Sequence, residues 1–238
     1  EGFWSWSDAF IGHEPIGDAY AVTETDGDRW VSIDGTPAAQ WFRSLIGEQS
    51  ISENNDWNAT VATDTLLKFP LIIEGHGGSS RFVQYDGKND AIRGYFCEIN
   101  KGDRFRVGYL SPLASAEACR ALCMKIEKQP TEAMFVYSCL FRKLYLNRCA
   151  EWEMRPFANF GVCVPFMFGE ISNIDGNNEY LNGSCSILTL SEHADSCIAI
   201  DYAPFDDLSG LRESENGKNA SSYIIKKQNE IMYQKNKL

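Results

Sequence analysis

The chain has 238 residues, 44% of them hydrophobic and 23% charged, and a net charge of -11. That length allows one large domain or two modest ones, and the composition is that of ordinary globular chains, which excludes disorder or a fibrous repeat as the main state. An acidic body repels nucleic acid and anionic lipid, and no run approaches the ~18 apolar residues of a membrane span, so neither nucleic acid nor a membrane is expected as a partner.

The opening, EGFWSWSDAF, lacks the basic region and apolar run of a signal peptide, and a chain beginning with Glu reads as a piece of something longer. AYAVTETDGDRWVSIDG then alternates apolar and polar residues on both sides of Asp26-Gly27, a dipeptide that supplies the positive φ angles of a tight turn, and predicts a β-hairpin. Thr36-Pro37 reads as an N-cap with Pro in the first helical position. Ala38, Ala39, Trp41, Phe42, Leu45 and Ile46 follow at helical spacing until Gly47 stops them. A second helix is expected over Trp57 to Phe69. Short strands follow at Leu71 to Glu74, Arg81 to Tyr85, Ile92 to Ile99 and Phe105 to Ser111, separated by GHGG, DGKND and NKGD turns.

The rhythm then changes. Ser115 to Lys128 carries Ala118, Leu122 and Ile126 on one helical stripe, and Met134 to Ser138 is an apolar strand ending at Cys139. A helix follows, and Phe160 to Ile171 and Gly183 to Ser191 supply two more strands. This order predicts a mixed α+β fold of the α/β kind, a mixed β-sheet with helices packed on it, followed by a C-terminal linker helix. DDLSGLRESENG, residues 206–217, reads as a linker. In the tail from Lys218, of net charge +4, Ile224, Gln228, Ile231, Lys235 and Leu238 sit at spacings of 4, 3, 4 and 3. That pattern fits either a solvated helical stub or the start of a signalling helix able to pair with a second copy as a homodimer.

No G-x-S-x-G, Walker A, G-x-G-x-x-G or H-E-x-x-H pattern is present, so hydrolase, NTPase, dehydrogenase and metalloprotease readings lose their support. The eight Cys form no C-x-x-C pair, which removes the zinc and thioredoxin-like readings. Several stand in apolar runs, as reduced thiols of a cytoplasmic protein do. His13, His76 and His193 are too scattered to imply a metal cluster. His76 lies in a Gly-rich turn whose N–H groups suit an anion or serve the turn alone. Cys139 ends a strand and opens a helix, where the macrodipole would lower a thiol pKa, although a buried inert thiol explains the same position. Arg142, one helical turn on, either meets a ligand carboxylate bidentately or pairs in solvent with Glu151 or Glu153.

The run PFMFGEISNIDGNNEYLNGSCSILTLSE, from Pro165 to Glu192, reads as a strand into Gly169-Glu170, a polar excursion, and a strand returning through Asn182 and Ser184. Phe168-Gly169-Glu170-Ile171, Gly176, and Asn182 before SILTLSE resemble the C-terminal motif of FIST domains. AVTETDGDRWVSIDGTPAAQWFRSLIG resembles that family's hairpin and helix, and FVYSCLFRKLYL its strand-Cys-x-x-Arg-helix segment. The chain departs from the family pattern at Phe141, where Gly is usual before the Arg, and at Phe168, where Tyr is common.

The resemblance implies residues 1–28 as the end of the family's N-terminal half, 29–205 as its C-terminal sensory domain, and 218–238 as a helix leading to an output domain beyond Leu238. It implies a cytoplasmic sensor of a small-molecule ligand, an amino acid or similar small carboxylate, regulating a signalling domain such as a diguanylate cyclase or histidine kinase, with no catalysis of its own and no cofactor. The site it implies joins Cys139, Arg142, Phe168, Glu170 and Asn182, with Arg142 taking a carboxylate and Glu170 and Asn182 taking amine or polar groups. Two alternatives accompany it. One is a haem-binding nitric oxide sensor with His76 or His193 as axial donor. The other is an enzyme using Cys139 as nucleophile and His76 as base.

Overall fold

A computed structural model describes residues 2–46, 69–74, 80–86, 89–94, 99–146, 150–162, 164–174 and 176–206. Apart from Phe69 and Asp206, the expected second helix, the turn holding His76, the linker and the tail helix lie outside the described residues. The described chain forms two compact units, one from residues 2–13 with 110–206 and one from residues 14–109. Strand β1 (Trp4–Phe10) belongs to the first of these.

The unit of residues 14–109 carries β2 (His13–Asp26), β3 (Arg29–Ile33), β4 (Thr36–Pro37), helix α1 (Ala38–Ile46), β5 (Leu71–Ile73), β6 (Ser80–Arg81), β7 (Val83–Asp86), β8 (Ala91–Gly94) and β9 (Arg104–Leu110). The strands lie in the order β6, β5, β9, β2, β3, β8, β7, with β4 pairing β3. The run expected as one strand over Arg81 to Tyr85 breaks at Phe82 into β6 and β7, which occupy opposite edges of this sheet. Because one residue joins the two edges, the sheet curls round on itself. Inside it Tyr20, Trp30, Trp41 and Phe105 pack with ring centroids 5.0 to 5.8 Å apart. Edge-on and offset contacts of this kind suit the ring quadrupoles.

The expected hairpin is present, shifted by one residue. Asp26 pairs with Arg29, so the loop is Gly27-Asp28, with Gly27 at φ 60°. Pro37 does not open the helix. Asp34 and Gly35 both take positive φ and turn the chain back, so that Thr36 and Pro37 pair with Ile33 and Ser32 before α1 starts at Ala38. A residue without an N–H is tolerated on such a short edge strand.

The other unit adds α2 (Pro112–Ile126), β10 (Ala133–Cys139), α3 (Leu140–Leu146), α4 (Ala150–Met154), a 3-10 turn (Arg155–Phe160), β11 (Phe166–Met167), β12 (Glu170–Ile174), β13 (Asn177–Leu181) and β14 (Cys185–Ser191). β1 pairs antiparallel with β14 from Trp4↔Ser191 to Phe10↔Cys185, β14 pairs antiparallel with β10, and β10 pairs parallel with β11. The sheet is therefore mixed, as expected, with helices packed on it. α2 begins three residues earlier than the stripe predicts. The Ser111 hydroxyl accepts from the Ala114 N–H and Pro112 fills the first turn, a Ser-Pro start that fixes the helix end. Ala116, Cys119, Leu122, Cys123 and Ile126 of α2 pack with Phe10, Val136, Phe157, Cys185 and Ile187 to form the core.

The expected strand over Phe160 to Ile171 is not continuous. The 3-10 turn ends at Gly161, β11 is two residues long, and Gly169 at φ 79° turns the chain into β12. The polar excursion after it is itself a hairpin, β12 paired with β13 from Glu170↔Leu181 to Ile174↔Asn177.

Candidate functional site

Cys139 ends β10 and is 2% exposed, its N–H donating to the Ser184 carbonyl at 2.9 Å. Glu170, the first residue of β12, is 3% exposed. Its Oε2 accepts from the Ser184 hydroxyl at 3.1 Å and from the Ser184 N–H at 3.4 Å, while Oε1 has no hydrogen-bond partner among the described residues. Burial raises the Glu170 pKa, against the nearby Cys139 thiol and the Ser184 bonds, which favour the carboxylate. Burial, and then the neighbouring Glu170 charge, push the Cys139 thiol up to about 12. The low-pKa thiolate that a strand-to-helix junction suggests is thus absent here, because lost solvation outweighs the helix end.

Gly169 and Tyr180 close the site from the β12–β13 hairpin. Gly169 is favoured by its φ of 79°, and a Cβ there would stand 2.6 Å from the Tyr180 hydroxyl, so the phenol lies directly against this turn. Phe168 is 75% exposed and meets the Phe141 ring edge-on at 5.9 Å. The two positions at which the chain departs from the family pattern are therefore in contact. Asn182 is buried in the β13–β14 turn, its Nδ2 donating to the Leu181 carbonyl at 3.1 Å.

Arg142 lies on the other side of that turn and is fully buried. Its Nε donates to Glu153 Oε2 at 3.1 Å and its Nη1 to the Gly183 carbonyl at 2.6 Å and to the Ile11 carbonyl. Its Nη2 donates to Glu153 Oε1 and to the Ser115 hydroxyl. All five guanidinium donors are thus engaged by the chain itself, over the Phe10 ring at 4.9 Å. The pairing with Glu153 is found, but in the core rather than in solvent. The Gly183-Ser184 turn joins the two halves: Gly183 answers Arg142, and Ser184 answers Glu170 and Cys139.

The structure therefore brings Cys139 and Glu170 together, puts Phe168 beside them at the surface, and gives Arg142 to a separate buried network. Glu153, one of the two partners the sequence offered Arg142, completes these clusters with Ser184, Tyr180 and Ser115. Those three were not singled out as site residues, and among them the N-G-S-C turn around Ser184 offered the signal. Two clefts lie elsewhere in the unit. One, of about 530 Å³, runs beside β10; the other, of about 430 Å³, lies between Lys143, Ala150, Arg155 and Phe166. Of the histidines, His193 is exposed with Nδ1 2.6 Å from Glu132 Oε1, and burial and the Arg142 charge hold the half-buried His13 neutral, down to about 3. His76 lies outside the described residues. Among the described residues no helix is long and apolar enough to cross a membrane, and no group of three or more His, Cys, Asp or Glu is arranged to hold a metal ion.

The Cys139 pKa makes a direct prediction. At pH 8 Cys139 is expected to react with iodoacetamide at least about a hundredfold more slowly than exposed Cys197, followed residue by residue in digests. The thiol stays protonated in the fold up to about pH 12, whereas an unfolded thiol ionises near about 8.5. Stability is thus unaffected by this group below that lower value and falls as pH rises above it, by up to ~1.4 kcal/mol per pH unit.

A mixed sheet with packed helices, holding a buried carboxylate and thiol beside exposed aromatic rings, defines a mixed α+β module with a buried polar cluster. The chain matches the FIST C domain model over residues 38–173, more than half its length, and it belongs to that family of sensory domains. The match takes in Cys139, Arg142, Phe168 and Glu170 and stops short of Asn182. No curated protein and no solved structure matches the chain.

Proposed function

We propose that the chain is a small-ligand sensor that recognises the amine end of its ligand, an amino acid or a related small amine, at Glu170. The observation that carries this reading is Glu170 Oε1, a buried carboxylate oxygen with no hydrogen-bond partner among the described residues. Leaving such an oxygen unmet costs about 1–3 kcal/mol, more when it is charged, and a ligand N–H removes that cost. An ammonium also offsets the burial that raises the Glu170 pKa, so it binds the ionised form. Arg142 supports the site from behind through Gly183 and leaves the ligand carboxylate to other groups, since its donors are occupied. Phe168 and Phe141 meet the apolar part of the ligand, and Phe168 and Tyr180 move aside to admit it.

Binding favours one arrangement of the β12–β13 hairpin over the sheet, and a signalling output domain in the cytoplasm, such as a diguanylate cyclase or histidine kinase, reads that change. A switch from 1:99 to 99:1 needs about 5.5 kcal/mol of preference for one state. Family membership supports the sensor role, and the unmet oxygen supports the amine.

A thermal-unfolding screen against amino acids, small amines and small carboxylates tests this. A compound at about 100 times its dissociation constant adds about 2.7 kcal/mol. Amine-bearing compounds are expected to shift the wild type and not Glu170→Gln. Shifts confined to carboxylates without an amine, or unchanged in Glu170→Gln, contradict the reading.

A further inference from the structure

β10 is only partly covered. Its Cys139 N–H points to β14, where it meets the Ser184 carbonyl, and its Ser138 N–H points the other way, to the Pro165 carbonyl. Backbone groups alternate sides along a strand, so the N–H and C=O of Met134 and Val136 share the side of Ser138 and point away from β14. On that side, among the described residues, β11 pairs with Ser138 and Cys139 alone. Pro165 has no N–H with which to answer the Val136 carbonyl, so the parallel pairing cannot simply continue backwards along the chain. The cleft of about 530 Å³ lies there, with Met134 to Tyr137 on one wall and Phe160, Val162 and Pro165 on the other. Ala133 to Tyr137 is a five-residue edge, about 17 Å at ~3.4 Å per residue.

The cleft is apolar on both faces of the sheet. Phe160, Val162 and Ile198 lie with the core on one face, and Phe135 and Tyr137, 43% and 39% exposed, stand on the other. Open strand edges are usually blunted by charge, proline or a covering segment. Here, among the described residues, the charged group on the cleft is Glu132, whose carboxylate is occupied by the Glu192 N–H, Ser191 and His193.

We propose that this edge is a second binding site, which takes an extended segment of a partner protein as an added strand beside β10. The occupant is a strand because the groups it must satisfy, the Met134 N–H and C=O and the Val136 C=O, repeat at strand spacing. Small ligands do not reproduce that repeat. Its side chains are apolar at alternate positions, one set against Phe160, Val162 and Ile198 and the other beside Phe135 and Tyr137. Basic flanking residues favour it on a chain of net charge -11, and the same charge opposes pairing of two such edges from like copies. The site is separate from Glu170, which does not line the cleft.

A display library of nine-residue peptides, apolar at alternate positions and flanked by Lys, is the probe. Selected peptides are expected to bind the whole chain, to slow hydrogen exchange at the Met134 amide, and to bind about tenfold or more weakly once N-methylated along the pairing edge. Met134→Pro removes an outward N–H at an edge position that tolerates proline, and is expected to abolish binding while Glu170-dependent ligand shifts remain. If that variant is too unstable to use, the N-methylated peptides carry the test alone. A library that yields no binder overturns the proposal. So does equal binding of methylated and unmethylated peptides, and so does a dimer in sedimentation that Met134→Pro dissolves, which would make the occupant a second copy.

Discussion

Arg142→Ala is expected to cost about 3–5 kcal/mol of folding stability, enough to unfold much of the unit of residues 2–13 and 110–206. The variant leaves the Glu153 carboxylate, 2% exposed, without its cation, and it removes the donors that meet the Ile11 and Gly183 carbonyls. The loss is the penalty of unpaired buried groups rather than the worth of the ion pair itself. Arg142→Met combined with Glu153→Leu should therefore lose less than Arg142→Ala alone, because no charge then remains buried. Urea unfolding of the three proteins measures this. A loss below about 1 kcal/mol for Arg142→Ala would mean that the network does not hold the fold. Loss of ligand response in this variant reports unfolding and says nothing of ligand contact, which is why Glu170→Gln is the probe of the site.

Gly12→Ala is the second large effect. Gly12 has φ 79°, and a Cβ there would stand 2.4 Å from the Ser115 Cα and 2.7 Å from its N, so backbone must move. Ser115 cannot yield without disturbing the Arg142 and Glu153 bonds, and Ile11, the preceding residue, is an acceptor in the same network. Positive φ alone costs about 1–2 kcal/mol. With the clash the expected loss is about 3 kcal/mol or more. Gly161→Ala is the control, since Gly161 has φ 63° and open space around it. Its expected loss is about 1 kcal/mol. Equal losses for the two variants in thermal or urea unfolding would show that the approach of the β1–β2 turn to α2 is not tight.

Much of the fold was legible where the signal is local. Alternation around Asp26-Gly27 marked the hairpin, the Ala38 to Leu45 stripe marked α1, and Met134 to Ser138 marked β10, because period and turn chemistry act within a few residues. The misreadings have the same origin. Thr36-Pro37 has the chemistry of a helix start, but Asp34 and Gly35 turn it back on β3, and a two-residue pairing leaves no periodic trace. β12 and β13 were read as an excursion because exposed Ile171 and the Asn-rich stretch lack alternation, although Asp175-Gly176 carries a turn signal. β1 was missed as a partner of β14, since that pairing joins residues over 170 apart in the chain.

The site was legible in part. The Gly-Glu-Ile motif and the Cys-x-x-Arg segment pointed to Glu170 and Cys139, which are neighbours. Spacing within one helix suggested that Arg142 shares their face. It is instead drawn to Glu153, a partner the sequence offered in solvent but the fold places in the core, and to carbonyls at Ile11 and Gly183, which only the tertiary fold brings within reach. Ser184 and Tyr180 are set by the β13–β14 turn and the β12–β13 register, which residue types alone do not specify.

The central claim is that Glu170 meets the ligand amine, and calorimetric titration of an amine-bearing hit at mildly acidic pH in two buffers of different ionisation heat tests it most directly. The Glu170 pKa is raised in the free protein and lowered by an ammonium at Oε1, so binding to the wild type is predicted to release a proton to the buffer. Glu170→Gln is predicted to bind at least about tenfold more weakly and to release none. Equal affinity and equal proton release in the two proteins would place the amine elsewhere and contradict the account.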